Sequence, residues 1–237
     1  LIGMDQDSIA CLIAKDNLEG YPINIVQDNF ANVDKIDIKE VDGIFLDIGV
    51  SSVQLNTSDR GFSFSKEGPL DMRMNNKKGI TAADVVNTYS EEELGIIFRG
   101  YGEEPQWRRA ARAIVAARKH TTIATTTDLA NILNPVMSRK RKIHPLTLIF
   151  QALRIEVTQE LEVLKQVLPK AIKLLRPGGI LGVISFHSLE DRIVKNFFKE
   201  EAKKYISAPE RPEGYIPKTP TLKIITKKPI IASPEEQ

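Results

Sequence analysis

A chain of 237 residues with 42% hydrophobic and 27% charged side chains has the composition of a water-soluble globular protein, long enough for one large core or two smaller ones. No apolar run approaches the ~20 residues that a bilayer-crossing helix needs, and the lone Cys11 excludes an internal disulfide framework or a cysteine-based zinc site. The net charge of +2 conceals a basic block, since residues 108–142 hold nine Lys or Arg against one acid, Asp128.

Leu1-Ile2-Gly3-Met4-Asp5 reads as the end of an apolar strand closed by an acid. From Ser8 to Leu18 the apolar residues Ile9, Ala10, Leu12, Ile13 and Ala14 suit a helix lying on a sheet. Pro22 then precedes a short strand, Ile23 to Val26, which ends at Gln27-Asp28-Asn29-Phe30. Residues 41–46 form a third strand, read as buried, that runs out into Asp47-Ile48-Gly49-Val50-Ser51-Ser52. Strand, helix, strand, crossover, strand is the rhythm of a parallel, doubly wound α/β sheet.

Ligands of such sheets bind just past the carboxyl ends of the strands. Asp5 is placed there to accept both hydroxyl protons of a ribose, and Phe30 offers either an apolar face for an adenine or a core side chain. Asp47 either meets a ligand or caps its own turn. The Gly-rich dinucleotide motif is absent from these residues, which argues against an NAD enzyme.

Residues 61–79 mix Gly, Pro and Asn with Phe62, Phe64, Leu70, Met72 and Met74. That is the composition of a functional loop, with apolar groups placed to grip a base or to seat on a core. Helices are predicted from Thr81, from Ser90 with Glu93 as a capping box, from Pro105 through Arg108, Arg109, Arg112 and Arg118, and from Thr127 to Pro135. With no strand pattern between 61 and 145, this region reads as a helical insertion leaving through the basic loop Ser138-Arg139-Lys140-Arg141-Lys142. The basic block is either a solvated helix face or a surface for a polyanion.

Residues 146–175 keep helical spacing, in one long helix or two shorter ones, until Arg176-Pro177-Gly178-Gly179 stops them. A buried strand at 180–186 ends at His187, Ser188, Glu190, Asp191 and Arg192, followed by a helix over 189–203. A Pro-punctuated loop and a last β-like run, 221–226, close the chain. His187 can accept a proton near neutrality or act as a structural hydrogen-bonder. Asp191 and Arg192 read as a pair or a helix cap.

Six segments in order resemble the signatures of the RsmH (MraW) family: residues 45–55, Arg60-Gly61-Phe62-Ser63-Phe64, Gly68-Pro69-Leu70-Asp71-Met72-Arg73-Met74, Tyr101-Gly102-Glu103-Glu104, residues 150–155, and Ser185-Phe186-His187-Ser188-Leu189-Glu190-Asp191-Arg192. That family uses S-adenosylmethionine to methylate the exocyclic N4 of a cytidine in the decoding region of 16S ribosomal RNA. The resemblance implies a class I (Rossmann-like) methyltransferase sheet from residues 1–60 and 146–237, with an inserted all-helical substrate-recognition domain over 61–145.

It also implies S-adenosylmethionine as cofactor and the small ribosomal subunit as partner. A cytoplasmic location, no membrane and an open possibility of homodimers go with it. Carried over by position, Asp5, Phe30, Asp47 and Gln54 match the family's cofactor contacts. The family's Gly-Gly-His loop and its closing Asn-Pro-Arg-Ala-Arg-Ser segment have no counterpart in these residues, so pieces are expected to be missing at both ends.

For methyl transfer to a cytosine amine the enzyme must hold the amine in line with the departing sulfur, and an acceptor on one N4–H stabilises the charge that develops there. Asp47 and His187 are the catalytic candidates for that acceptor. The alternative from another class is a non-catalytic RNA-binding or scaffold protein that keeps the methyltransferase fold.

Overall fold

The computed structural model describes residues 1–75, 79–137 and 144–233, apart from the side chains of Ser52 and Asn56. The basic loop expected at 138–142 lies outside the described residues. The chain divides into two compact units, residues 1–32 with 49–163, and residues 33–48 with 164–237.

In the first unit, β1 (Ile2–Asp5) leads through α1 (Ser8–Asn17) to β2 (Asn24–Gln27). The two strands pair in parallel, with Asp5 opposite Gln27. This is the strand–helix–strand step expected from the sequence. Asp7 starts α1 by accepting the Ile9 N–H at 3.0 Å, as a short acidic side chain at a helix N-cap does.

Past residue 49 the unit is helical: α2 (Ser52–Asn56), α3 (Ala82–Thr88), α4 (Glu91–Gly100), α5 (Trp107–Ala117), α6 (Thr126–Leu133) and α7 (Pro145–Thr158). Reciprocal capping boxes open α2 (Ser51 with Gln54), α3 (Thr81 with Asp84), α4 (Ser90 with Glu93) and α6 (Thr125 with Asp128). Each box satisfies backbone N–H groups that the first turn leaves without partners. Pro145 at the first position of α7 needs no such partner.

One buried cluster includes Val85, Leu94, Phe98, Ile114, Leu129 and Leu153. Each of these large side chains stabilises the fold by roughly 1.5–3 kcal/mol on burial. Gly95 lets the Trp107 ring lie against α4, where a Cβ would strike the indole, and the Arg108 guanidinium sits 4.2 Å from the centre of that ring. The loop over 61–75 also feeds this core. Phe62 is 5% and Met72 0% exposed, so neither is available to grip a base, while Phe64 stacks on His144 at 5.2 Å.

In the second unit, β3 (Val41–Asp47) pairs in parallel with β4 (Leu175–Ile184). The helix α8 (Glu160–Leu174), which begins in the first unit, runs into β4; the long helical stretch is therefore two helices. The strand predicted at 180–186 starts earlier and stops at Ile184. Val41 pairs with Leu175 but Gly43 with Ile180, so Arg176 to Gly179 are extruded as a bulge, with Gly178 at φ +86°. Neither strand is buried as expected, with Phe45 67% and Ile180 58% exposed.

The helix α9 (Ser188–Glu201) leads to an antiparallel pair, β5 (Tyr205–Ser207) and β6 (Tyr215–Pro217). That hairpin lies where the sequence suggested only a loop, and the run 221–226 forms no strand. The Thr221 N–H bonds the carbonyl of Glu201 at 3.0 Å instead of a neighbouring strand.

Candidate functional site

The carboxyl ends of β1 and β2 carry a polar cluster that joins four parts of the first unit. Asp5 closes β1, and its Oδ1 accepts the Asp7 N–H at 2.7 Å. Gln6 accepts from the Asn29 side chain at 3.2 Å, tying the end of β1 to the turn after β2. In that turn Asp28 Oδ1 accepts the N–H of Asn29 at 2.7 Å and the amide of Asn32 at 2.9 Å. Phe30 follows, half-buried.

Asp7 is the centre of the cluster and is only 3% exposed. Its Oδ2 accepts from Gln54 Nε2 at 2.8 Å and from Arg60 Nη1 at 2.9 Å. Gln54 Oε1 in turn accepts the Ser51 N–H at 3.0 Å. Both ends of the Gln54 amide are thus held by the protein. The structure brings Asp5 and Gln54 together through Asp7, and sets Phe30 on the adjoining turn.

Burial alone would raise the Asp7 carboxyl. The Gln54 amide, the Ile9 N–H and the Arg60 charge outweigh it and hold the carboxyl below the usual range. Asp5 keeps an exposed surface, but protein atoms crowd its carboxyl and push it up, partly offset by the Asp7 N–H. A carboxylate with a depressed folded value stabilises the fold above its unfolded value, ~3.9, and that contribution disappears as pH falls through the folded value. Asp7→Asn is accordingly expected to lose stability most above about pH 4 and to converge on the wild type in stronger acid. Urea unfolding measured across that range checks it.

In the second unit, Asp47 and Ile184 are paired at the carboxyl ends of β3 and β4. Asp47 is exposed. His187, three residues beyond Ile184, is nearly enclosed, and its Nε2 lies 3.3 Å from Glu190 Oε1. Glu190 is 1% exposed, and its Oε2 accepts the N–H groups of Phe186 and His187 at 2.8 and 3.3 Å. A carboxylate in that position also suits the positive end of α9.

On α5, Arg108 and Arg109 are exposed, and the side chain of Arg112 is 77% exposed, 3.6 Å from Glu91. Arg118 differs, since its guanidinium donates to the carbonyl of Val86 at 2.7 Å and secures the helix packing. The remaining basic candidates, Arg139, Arg141 and Lys142, fall outside the described residues.

Sequence reasoning missed Asp7 and Arg60. An acid directly before a helix was the available signal for Asp7, but nothing local pairs it with an arginine 53 residues away.

Sequence comparison matches residues 1–237 to the family described as MraW methylase. The ribosomal RNA small subunit methyltransferase H of Clostridium botulinum (strain Loch Maree / Type A3) is 47% identical over 244 residues, covering 100% of this chain and 79% of that protein. The protein of the same name from Protochlamydia amoebophila is 50% identical, covering 99% of this chain and 77% of its own length. Its counterpart in Halothermothrix orenii is 44% identical, with 97% and 76% covered. Similarity of this degree takes in the strand ends and the helical region alike, and the chain belongs to the MraW methylase family.

Proposed function

We propose that this protein transfers a methyl group from S-adenosylmethionine to the exocyclic N4 of a decoding-region cytidine in 16S ribosomal RNA. The observation that carries the reading is the near-complete coverage of the chain by relatives named for small-subunit ribosomal RNA methylation. The Rossmann-like class agrees with the parallel β1–β2 and β3–β4 pairs, and the substrate-recognition role falls to the helical region 61–145.

The strand-end residues suit the cofactor chemically. Asp5, a residue that keeps an exposed surface although its carboxyl is crowded, offers an acceptor for a ribose diol, and Phe30 a half-buried ring for an adenine. Gln54 is the third contact implied by the family in the first unit, and Asp47, on the second unit, is carried over by its position in the sequence alone. The bound cofactor supplies an electrophilic methyl on a sulfonium, so no enzyme nucleophile is required. Asp47 then serves as the acceptor for an N4–H, which keeps the amine's lone pair on nitrogen and takes up its developing charge. Its exposure favours it over His187, which is enclosed and engaged with Glu190.

The direct test incubates the protein with S-adenosylmethionine and small ribosomal subunits lacking the modification, then digests the RNA to nucleosides for mass spectrometry. N4-methylcytidine is the expected product. Methylation at another atom, or none, overturns the reading. Asp5→Ala is expected to weaken S-adenosylmethionine binding by about 1–3 kcal/mol through its lost hydrogen bonds, measured by calorimetry. Failure of the wild-type chain to bind the cofactor restores the scaffold reading.

Arg108, Arg109 and Arg112 project from α5 as a phosphate-binding face. Reversing all three charges is expected to lower RNA affinity and to reduce the slope of log affinity against log salt by about 2, at ~0.7 per single-strand phosphate contact. An unchanged slope in a salt titration makes this face merely solvated.

A further inference from the structure

The Arg60 guanidinium is where three separated stretches of the first unit meet. One nitrogen, Nη1, is bonded to the buried Asp7 carboxylate at 2.9 Å. The other, Nη2, donates to the carbonyls of Arg73 and Met74 at 3.1 and 2.9 Å. The Arg60 carbonyl accepts the Met72 N–H at 3.0 Å, so the strap over 70–75 is gripped by both the backbone and the side chain of one residue. Met74 then reaches the end of β1, its sulfur 2.9 Å from Gln6 Nε2.

The strap is not relaxed on its own account. Met72 is fully buried with φ +63°, a left-handed conformation that a side-chain-bearing residue holds only where its surroundings impose it. Asp71 and Arg73 form a two-pronged ion pair at 2.8 and 2.6 Å that closes the turn. Without Arg60, the Asp7 charge would stay buried with only neutral donors, an arrangement that costs far more than an exposed ion pair contributes.

From this geometry we infer that Arg60 and Asp7 form a latch that positions the cofactor-binding residues without touching the cofactor. Asp7 orients Asp5 through its N–H and Gln54 through its carboxylate, while Arg60 holds the strap beside them. The planar fork is essential to the latch. A lysine can meet Asp7 but cannot serve that carboxylate and two carbonyls together. The inference rests on the cofactor reading of Asp5 and Gln54 given above.

The test compares Arg60→Met, Arg60→Lys, Asp7→Asn and the Asp7→Asn/Arg60→Met pair. Hydrogen exchange at residues 72–75 of the cofactor-free protein reads the strap; steady-state methylation reads the site. Arg60→Met is expected to speed exchange in the strap and to raise the KM for S-adenosylmethionine at least tenfold. The KM for RNA and kcat at saturating cofactor should stay near wild type, a split that mere loss of folded protein does not produce.

Arg60→Lys should recover part of the affinity, and the double variant should be little worse than Arg60→Met, because coupled groups are not additive. A folded Arg60→Met protein with a wild-type cofactor KM, or with unchanged exchange at 72–75, overturns the latch. Should Arg60→Met fail to fold, Arg60→Lys and Asp7→Asn decide by the same two readings. A wild type that binds no cofactor would defeat the cofactor reading itself, whereas the exchange contrast still decides whether Arg60 holds the strap.

Discussion

Gly61→Ala is expected to cost about 4 kcal/mol of folding stability, combining overpacking of up to ~3 with ~1 for a left-handed side-chain-bearing residue. Gly61 has φ +68°, and a Cβ there would fall on the carbonyl oxygen of Pro69 and crowd the Asp71 N–H. Both atoms are backbone, so no side chain can swing aside. The neighbouring pieces cannot retreat either, because the Asp71 carbonyl accepts the Ala82 N–H at 2.8 Å and the Leu70 carbonyl the Ala83 N–H at 2.7 Å. Relief at Gly61 would therefore tear the loop from the start of α3. Gly20→Ala, also at positive φ but with open space around it, is the control and should cost only ~1 kcal/mol. Urea unfolding of the two variants separates steric conflict from backbone strain.

Asp47→Asn is expected to lower kcat for RNA methylation by about 10²–10³, the range seen when one preorganised transition-state contact is removed. Asparagine keeps the size and can still accept a hydrogen bond, but it lacks the charge that offsets positive charge developing on the amine. The residue is exposed at the end of β3, so the fold should tolerate the change, and an unaltered unfolding midpoint verifies this. Single-turnover measurements at saturating cofactor isolate the step. A variant with wild-type single-turnover rate removes Asp47 from the chemistry, and His187→Gln then becomes the deciding substitution.

What could be read from the sequence was whatever the chain determines locally. Ser90 and Glu93 announce the start of α4 because both halves of a capping box lie within one turn. Asp5 stands out because an acid ending an apolar run marks a strand end, and β1 stops there. What could not be read depends on contacts made far along the chain. The Asp7–Arg60 bond is of this kind, as is the burial of Phe62 and Met72, whose apolar side chains fit a core as well as a base-binding loop.

The hairpin β5–β6 was obscured by the prolines around it. Its turn holds Pro209 and Pro212 before Gly214 at φ +72°, which reads as a loop until the flanking Tyr-Ile pairs are seen to face each other. Conversely, the run 221–226 has a strand's composition but no partner strand among the described residues. The extruded bulge at 176–179 shows the same limit, since Arg-Pro-Gly-Gly suggests a stop between helix and strand while β4 carries on through it.

Trp107, wedged against Gly95 beneath Arg108, is the sole indole in the sequence. Excited at the red edge of its absorption, where Tyr205 and Tyr215 contribute little, it reports on the first unit without a label. A guanidinium against the ring makes the emission sensitive to whatever displaces that arginine. The protein thus contains its own optical probe of α5, and a change in that emission on adding RNA would test the proposed phosphate-binding face directly.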